Sequence, residues 1–77
     1  MTISGSKLKT TVYTITDPIA FAGNQYPFPD SSQLWHSQGQ AGGVLLVENV
    51  HYTAKNGSFI LARATQPGDL VIVTTPL

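Results

Sequence analysis

Residues 50–77, VHYTAKNGSFILARATQPGDLVIVTTPL, limit the fold more than any other part of the chain. Asn56-Gly57 separates two runs of alternating apolar and polar residues. It is the preferred pair for a two-residue type I′ turn, in which both residues take positive φ. Gln66-Pro67-Gly68-Asp69 marks a second turn, with proline setting φ at the first corner and glycine free to go positive at the next. Around these turns the spacing predicts strands over Val50–Ala54, Ser58–Ala64 and Leu70–Thr75, stopped by Pro76. Val50, Tyr52 and Ala54 share one face, opposite His51 and Thr53; Phe59 and Leu61 lie opposite Ile60 and Ala62. No helix of ordinary length fits among them.

Upstream, Val44–Glu48 reads as a strand that turns at Glu48-Asn49, and Thr10–Thr16 (TTVYTIT) as another, rich in β-branched residues. Asp17-Pro18 ends it, because proline lacks the amide and restricts the residue before it. Met1–Lys9 reads as a loose polar segment preceding a single β domain over residues 10–77. The stretch Ile19–Gly43 is expected to be irregular. Gly23-Asn24 signals a turn, Pro27-Phe28-Pro29 an extended piece, and Asp30-Ser31-Ser32 the cap of a short helical turn through Gln33–His36. Ser37–Gly43 (SQGQAGG) reads as a flexible loop.

The expected fold is therefore all-β: an antiparallel meander of four strands plus Thr10–Thr16, closed as a small sandwich or half-barrel. Leu45, Val47, Tyr52, Phe59, Ile60, Leu61, Leu70, Val71, Ile72 and Val73 are its expected core. Several strands are apolar on both faces, which implies two covered faces or one face buried against a partner.

A chain of 77 residues buries only about 60% of its unfolded surface, so a lone domain is marginal. Without cysteine, neither disulfides nor thiolate metal sites can reinforce it, and oligomerisation or attachment to a larger assembly is the remaining route. Charged residues make up 10% of the chain against a usual ~25%, and the net charge is zero. Lys7, Lys9, Lys55 and Arg63 are scattered among Asp17, Asp30, Glu48 and Asp69, which excludes the clustered basic footprint of a nucleic-acid binder. Met1–Gly5 leads into KLKTTVYT without the apolar core of a secretory signal, and the longest apolar runs, Gly43–Val47 and Leu70–Val73, are too short to span a bilayer. The expectation is a soluble protein made in a cytoplasm, with no membrane partner.

Little in the residue inventory carries chemistry. His36 and His51 lack the further ligands at workable spacing that a metal site needs, so no metal and no cofactor is expected. No strand–turn–helix elbow frames a serine, the four acidic residues sit mostly beside turns, and Gly39, Gly42 and Gly43 lack a phosphate-binding pattern. No catalytic residue is expected, and the chain reads as no enzyme. Tyr26, Phe28 and Trp35 form either an aromatic lid on a small core or an anchor set that docks into a partner. Arg63, on the Phe59 and Leu61 face, is either an edge residue that blocks aggregation or half of an ion pair across a subunit interface. Asn56, Gly57, Pro67, Gly68 and Asp69 are the turn framework.

The order of these segments is more specific than any one of them. TVYTIT, GNQYPFP, LLVENVHYT, NGSFILA, QPGDLVIV and TTPL follow one another as do the segments of the N-terminal adaptor domain of tailed-bacteriophage tailspikes and tail fibres, which the chain resembles over most of Thr11–Leu77. Phe28 and Pro29 match that family's aromatic–proline element. Leu46, Glu48, Tyr52 and Thr53 match its L-x-E-G-x-DYT segment, and Gly57 its hairpin turn. Ile60 matches the next strand, and Pro67, Gly68, Asp69, Val71, Val73, Thr75, Pro76 and Leu77 its closing segment. His51 stands where the family has aspartate, Asn49 where it has glycine and Thr74 where it usually has arginine, so an inherited ion pair is not carried over. The resemblance implies a structural virion protein that attaches a host-recognition spike, or itself, to other tail or head proteins, as a homo-oligomer with a trimer favoured. A head-decoration or tail-accessory subunit, or a small carbohydrate- or receptor-binding module using Trp35, Tyr26 and His36, are the alternatives. Related chains would run on past TTPL into a β-helix or fibre, so this chain is read as a piece of such a protein or as a stand-alone subunit.

Overall fold

The computed structural model describes residues 8–38 and 43–76. Among these residues, seven strands and one short helix run in the order β1 (Leu8–Thr14), α1 (Pro18–Gly23), β2 (Tyr26–Pro27), β3 (Gln33–Ser37), β4 (Val44–Leu45), β5 (Tyr52–Lys55), β6 (Ser58–Leu61) and β7 (Leu70–Pro76). They form two antiparallel sheets. Sheet A has the order β1-β7-β3-β4 and sheet B the order β2-β6-β5. The all-β class and the small sandwich follow the sequence expectation. The meander holds only for the β5–β6 hairpin: β7 does not continue onto β6 but crosses to the other sheet, between β1 and β3.

The sandwich closes on one core. Leu34, Val71 and Val73 from sheet A meet Tyr52, Phe59 and Leu61 from sheet B, with Ile15, Phe21, Phe28 and Leu46 filling the ends. Phe59, fully buried, makes ring contacts with Tyr13, Tyr26, Phe28 and Tyr52, at centroid distances of 5.5–6.5 Å. Six of the seven aromatic residues join this cluster through Phe21, which stacks on Tyr26 at 4.4 Å. Aromatic pairs at these spacings add about 0.5–1.5 kcal/mol each beyond their burial.

Several expectations need correcting. Leu8 and Lys9 belong to β1 rather than to a loose segment, whose remaining residues 1–7 lie outside the described part, as do residues 39–42 of the expected loop. Asp17-Pro18 ends the strand and also starts a helix. The Asp17 carboxylate accepts from Ile19 N and Ala20 N, at 3.1 and 3.3 Å, with Pro18 at the first helical position where its missing N–H costs nothing. Gln33–His36 is not helical. Ser31, at φ 65, closes a tight turn in which Ser32 N donates to the Pro29 carbonyl, and the chain leaves it as β3. Ile60, Leu45 and Val47 are exposed, and Leu70 and Ile72 half-exposed, so the core is smaller on their side than expected. Val50 and His51 lie in a turn rather than in the strand. The framework turns are as expected: Asn56 and Gly57 have φ 55 and 76, and Gly68 has φ 95 with Asp69 N donating to the Gln66 carbonyl.

Candidate functional site: the outer face of sheet A

Strand register decides which side chains look away from the core. Val12 pairs with Ile72, Ile72 with Trp35, and Trp35 with Leu45. Residues directly opposite one another in antiparallel strands share a face. These four therefore form an unbroken apolar row across all four strands. Their neighbours along the strands, Tyr13, Val71, Val73, Leu34 and His36, point inward. Thr10–Thr74–Gln33 lies on one side of the row and Thr14–Leu70–Ser37 on the other, with Leu8–Pro76 at one end. Among the described residues no position on this face is charged. Val12 is 52% and Leu45 45% exposed, while Ile72 and Trp35 are half-buried by their neighbours. Trp35 lies along the face, its indole Nε1 donating to Thr74 Oγ1 at 3.0 Å.

Trp35 was expected as a docking residue and is the one aromatic outside the core cluster. The other expected docking residues are elsewhere. Phe28 is buried in the core, in ring contact with Tyr52 at 5.4 Å, and Tyr26 is half-buried against Phe21. These two pack in the aromatic core, where Phe28 is 8% exposed. Arg63 lies half-exposed just beyond β6, and its Nε donates to His36 Nδ1 at 2.9 Å. Trp35 lies on the outer face of sheet A, His36 is buried beneath that sheet and Tyr26 packs on Phe21, so the three do not share one surface. Val12, Leu45 and Ile72 were missed as site residues. Their signal was the Leu70–Val73 run, apolar at both strand parities, which asks for a cover on both faces.

A buried polar group lies under sheet A. His36 and Asp69 are 3% and 7% exposed, with His36 Nε2 2.8 Å from Asp69 Oδ2. An arginine Nε–H only donates, so His36 Nδ1 accepts from Arg63, and the ring's one proton sits on Nε2 and is donated to Asp69. Both ring nitrogens are engaged, which leaves His36 no nitrogen to take a proton from a nucleophile. Asp69 also accepts from Gln66 N at 3.0 Å. That backbone donor first, and His36 second, hold its carboxyl below the usual aspartate range. Ile15 N donates to the Asp69 carbonyl and Gly68 N to the Ile15 carbonyl, so the same turn ties the end of β1 to β3 and to the start of β7. His51 is separate: its Nδ1 accepts Val47 N at 2.9 Å within the 47–52 turn. Among the described residues no group of three or more His, Asp or Glu could hold a metal ion. No described helix is long and apolar enough to cross a membrane.

No protein-family model, curated protein or solved structure matches this chain.

Proposed function

We propose that the chain is a structural module of a tailed-bacteriophage virion, which attaches a tailspike or tail fibre, or itself, to the particle through protein–protein contacts. The observation that carries this reading is the uncharged outer face of sheet A, with its apolar row Val12–Ile72–Trp35–Leu45. A free antiparallel sheet face usually alternates to polar and charged residues. One with an apolar row across it and, among its described residues, no charge suits a lasting contact with another protein.

Two departures from the adaptor-domain pattern are geometrically mild. Asn49 stands at the family's glycine position and takes φ 66, which asparagine tolerates better than most residues. His51 stands at the family's aspartate position and uses Nδ1 to accept the Val47 N–H, as a carboxylate oxygen would. The third, Thr74 in place of arginine, is part of what keeps the outer face uncharged. The resemblance adds the homo-oligomer, with a trimer favoured, and the location on the virion.

The test is co-sedimentation of the labelled 77-residue chain with purified phage particles lacking their spikes, alongside a glycan array. Saturable binding to particles and no glycan binding is the expected outcome. Strong glycan binding abolished by Trp35→Ala would replace this reading with a receptor-binding one.

A further inference from the structure

We infer that the free edge of β1 takes an extended segment of another protein as a further antiparallel strand of sheet A. The occupant has apolar side chains at two alternate positions, followed by an acidic one. Three observations on β1 carry this.

The first is the edge itself. Ile15 N donates to the Asp69 carbonyl at 2.9 Å and the Ile15 carbonyl accepts from Gly68 N at 2.8 Å, so Ile15 turns both backbone groups toward the start of β7. Antiparallel pairing alternates, so Tyr13, Thr11 and Lys9 do the same. Leu8, Thr10, Val12 and Thr14 therefore aim their N–H and C=O groups away from β7, and β1 is an end strand of sheet A. The other three end strands offer less. β2 and β4 have two residues each, with Pro27 in β2, and β5 has four. β1 has seven and no proline. Long end strands without such blocks are templates on which a further strand forms.

The second is what lies beside that edge. A cleft of about 220 Å³ opens between β1 and β2, lined by Thr11, Tyr13, Pro27, Pro29 and Val73 together with the exposed Lys9. It is smaller than the ~300 Å³ at which small-molecule sites begin, and suits a side chain better than a free ligand. In a strand added to β1, the residues opposite Thr11 and Tyr13 share their face, which is the cleft side. A second hollow, lined by Tyr13, Thr16, Phe21, Asn24 and Tyr26, carries the groove on beside α1. In this mode of recognition main-chain bonds supply affinity and pockets for alternate side chains supply specificity.

The third is charge. Lys9 faces the same side as Thr11 and Tyr13, and among the described residues no carboxylate pairs with it. An acidic residue opposite Lys9 is its complement. Running antiparallel, the more stable direction, the occupant reads apolar-x-apolar-x-acidic opposite Tyr13, Thr11 and Lys9 in that order. The site uses Val12 through its backbone only, so it is separate from the apolar row of the outer face and does not rest on the virion reading.

The experiment measures binding of the fluorescein-labelled peptide Thr-Ile-Thr-Ile-Thr-Glu-Thr by anisotropy, together with amide hydrogen exchange of the chain. Saturable binding with a Kd below about 100 μM is expected. The amides of Thr10, Val12 and Thr14 are expected to exchange fast in the free chain and at least about tenfold more slowly in the complex, with those of Thr11 and Tyr13 slow in both. Thr10→Pro removes an outward-facing donor at an end-strand position that tolerates proline, and is expected to keep its circular dichroism spectrum while losing at least about tenfold in affinity. Lys9→Glu leaves the backbone untouched and is expected to prefer the peptide with lysine in place of glutamate, the reverse of the parent chain. No binding up to about 1 mM overturns the inference. So does slow exchange of the three amides in the free chain, which would mean that a second copy or another segment already covers the edge. Equal binding of a peptide N-methylated at its third residue, which faces Val12, overturns it as well, as does an unchanged affinity in Thr10→Pro or an unaltered peptide preference in Lys9→Glu. Peptide binding by a chain that does not bind virus particles leaves this inference standing and sinks the virion reading; particle binding without peptide binding does the reverse.

Discussion

The two sheets of this small sandwich solve the same problem by opposite means. Sheet B is local: β5 and β6 are joined by the two-residue Asn56-Gly57 turn, and only the short β2 reaches them from a distance. Its inner side is aromatic, with Tyr26, Tyr52 and Phe59, and its outer side carries Lys55, Ser58 and Thr53 beside the exposed Ile60. Sheet A is assembled from strands far apart in sequence, with β7 bonded to residues 8–14 and 33–37. Its inner side holds the His36–Asp69 pair beside Leu34, Val71 and Val73, and its outer side carries an apolar row between polar residues, with no charge among the described residues. The sheet that is cheapest to form has a single large apolar side chain, Ile60, on its outer face among the described residues. The sheet that costs the most loop closure is left with a face to cover, which is where assembly would return some of that cost.

The largest expected effects test whether the two sheets share one core. Phe59→Ala in sheet B is expected to cost about 3–5 kcal/mol and Leu34→Ala in sheet A about 2–5 kcal/mol. Each is comparable to the whole stability of a domain this small. Urea titration followed by circular dichroism should show one cooperative transition for the parent chain and for any variant that still folds. Two separated transitions would mean that the sheets unfold independently and that the contrast is one between two separate units.

Next in size is the turn that makes sheet B local. Gly57 has φ 76, so Gly57→Ala is expected to lower stability by about 1 kcal/mol although a methyl group there meets nothing. A neutral result in the urea midpoint would show that the hairpin is held by its aromatic face rather than by its turn.

The smallest effects are in pH, where the sheets should respond at opposite ends. The Asp69 carboxyl is held below its unfolded value near 4, so its contribution is present above that pH and is lost as pH falls through the folded value. Burial first, and the Glu48 carboxylate second, push the Tyr52 hydroxyl above its unfolded value near 10. Its contribution is present below that pH and is lost as pH rises through the folded value. Urea midpoints across the range are expected to show an acid limb flattened by Asp69→Asn and an alkaline limb flattened by Tyr52→Phe. If each variant left its limb unchanged, the assignment of acid to sheet A and alkali to sheet B would fail.

Of the candidate site, Trp35 alone was legible, as an aromatic beside a glycine-rich loop. Its companions Val12, Ile72 and Leu45 lie 23, 37 and 10 positions away along the chain, and only the register of β1, β7, β3 and β4 puts them in a row. Tyr26 and Phe28 read either as a lid on the core or as docking anchors, and the structure places both in the core cluster. Nothing in their own neighbourhood signals that α1 and β6 bring Phe21 and Phe59 up against them.

What the chain determined by itself is what is settled within four residues. Asn56, Gly57 and Gly68 take positive φ because few other residues do so at low cost, and Asp17 caps a helix because its carboxylate reaches two free amides. The alternation of Phe59, Ile60 and Leu61 likewise assigns their faces wherever β6 ends up. Tertiary structure alone decided that Gln33–Ser37 is a central strand, that β7 leaves β6 for β1 and β3, and that Arg63 turns in to His36. Each of these depends on at least one partner 27 or more residues away, although β3 also pairs with the nearby β4. A strand's hydrogen bonds are made by another part of the chain, so five residues with weak local preference become a strand only when that part is in place.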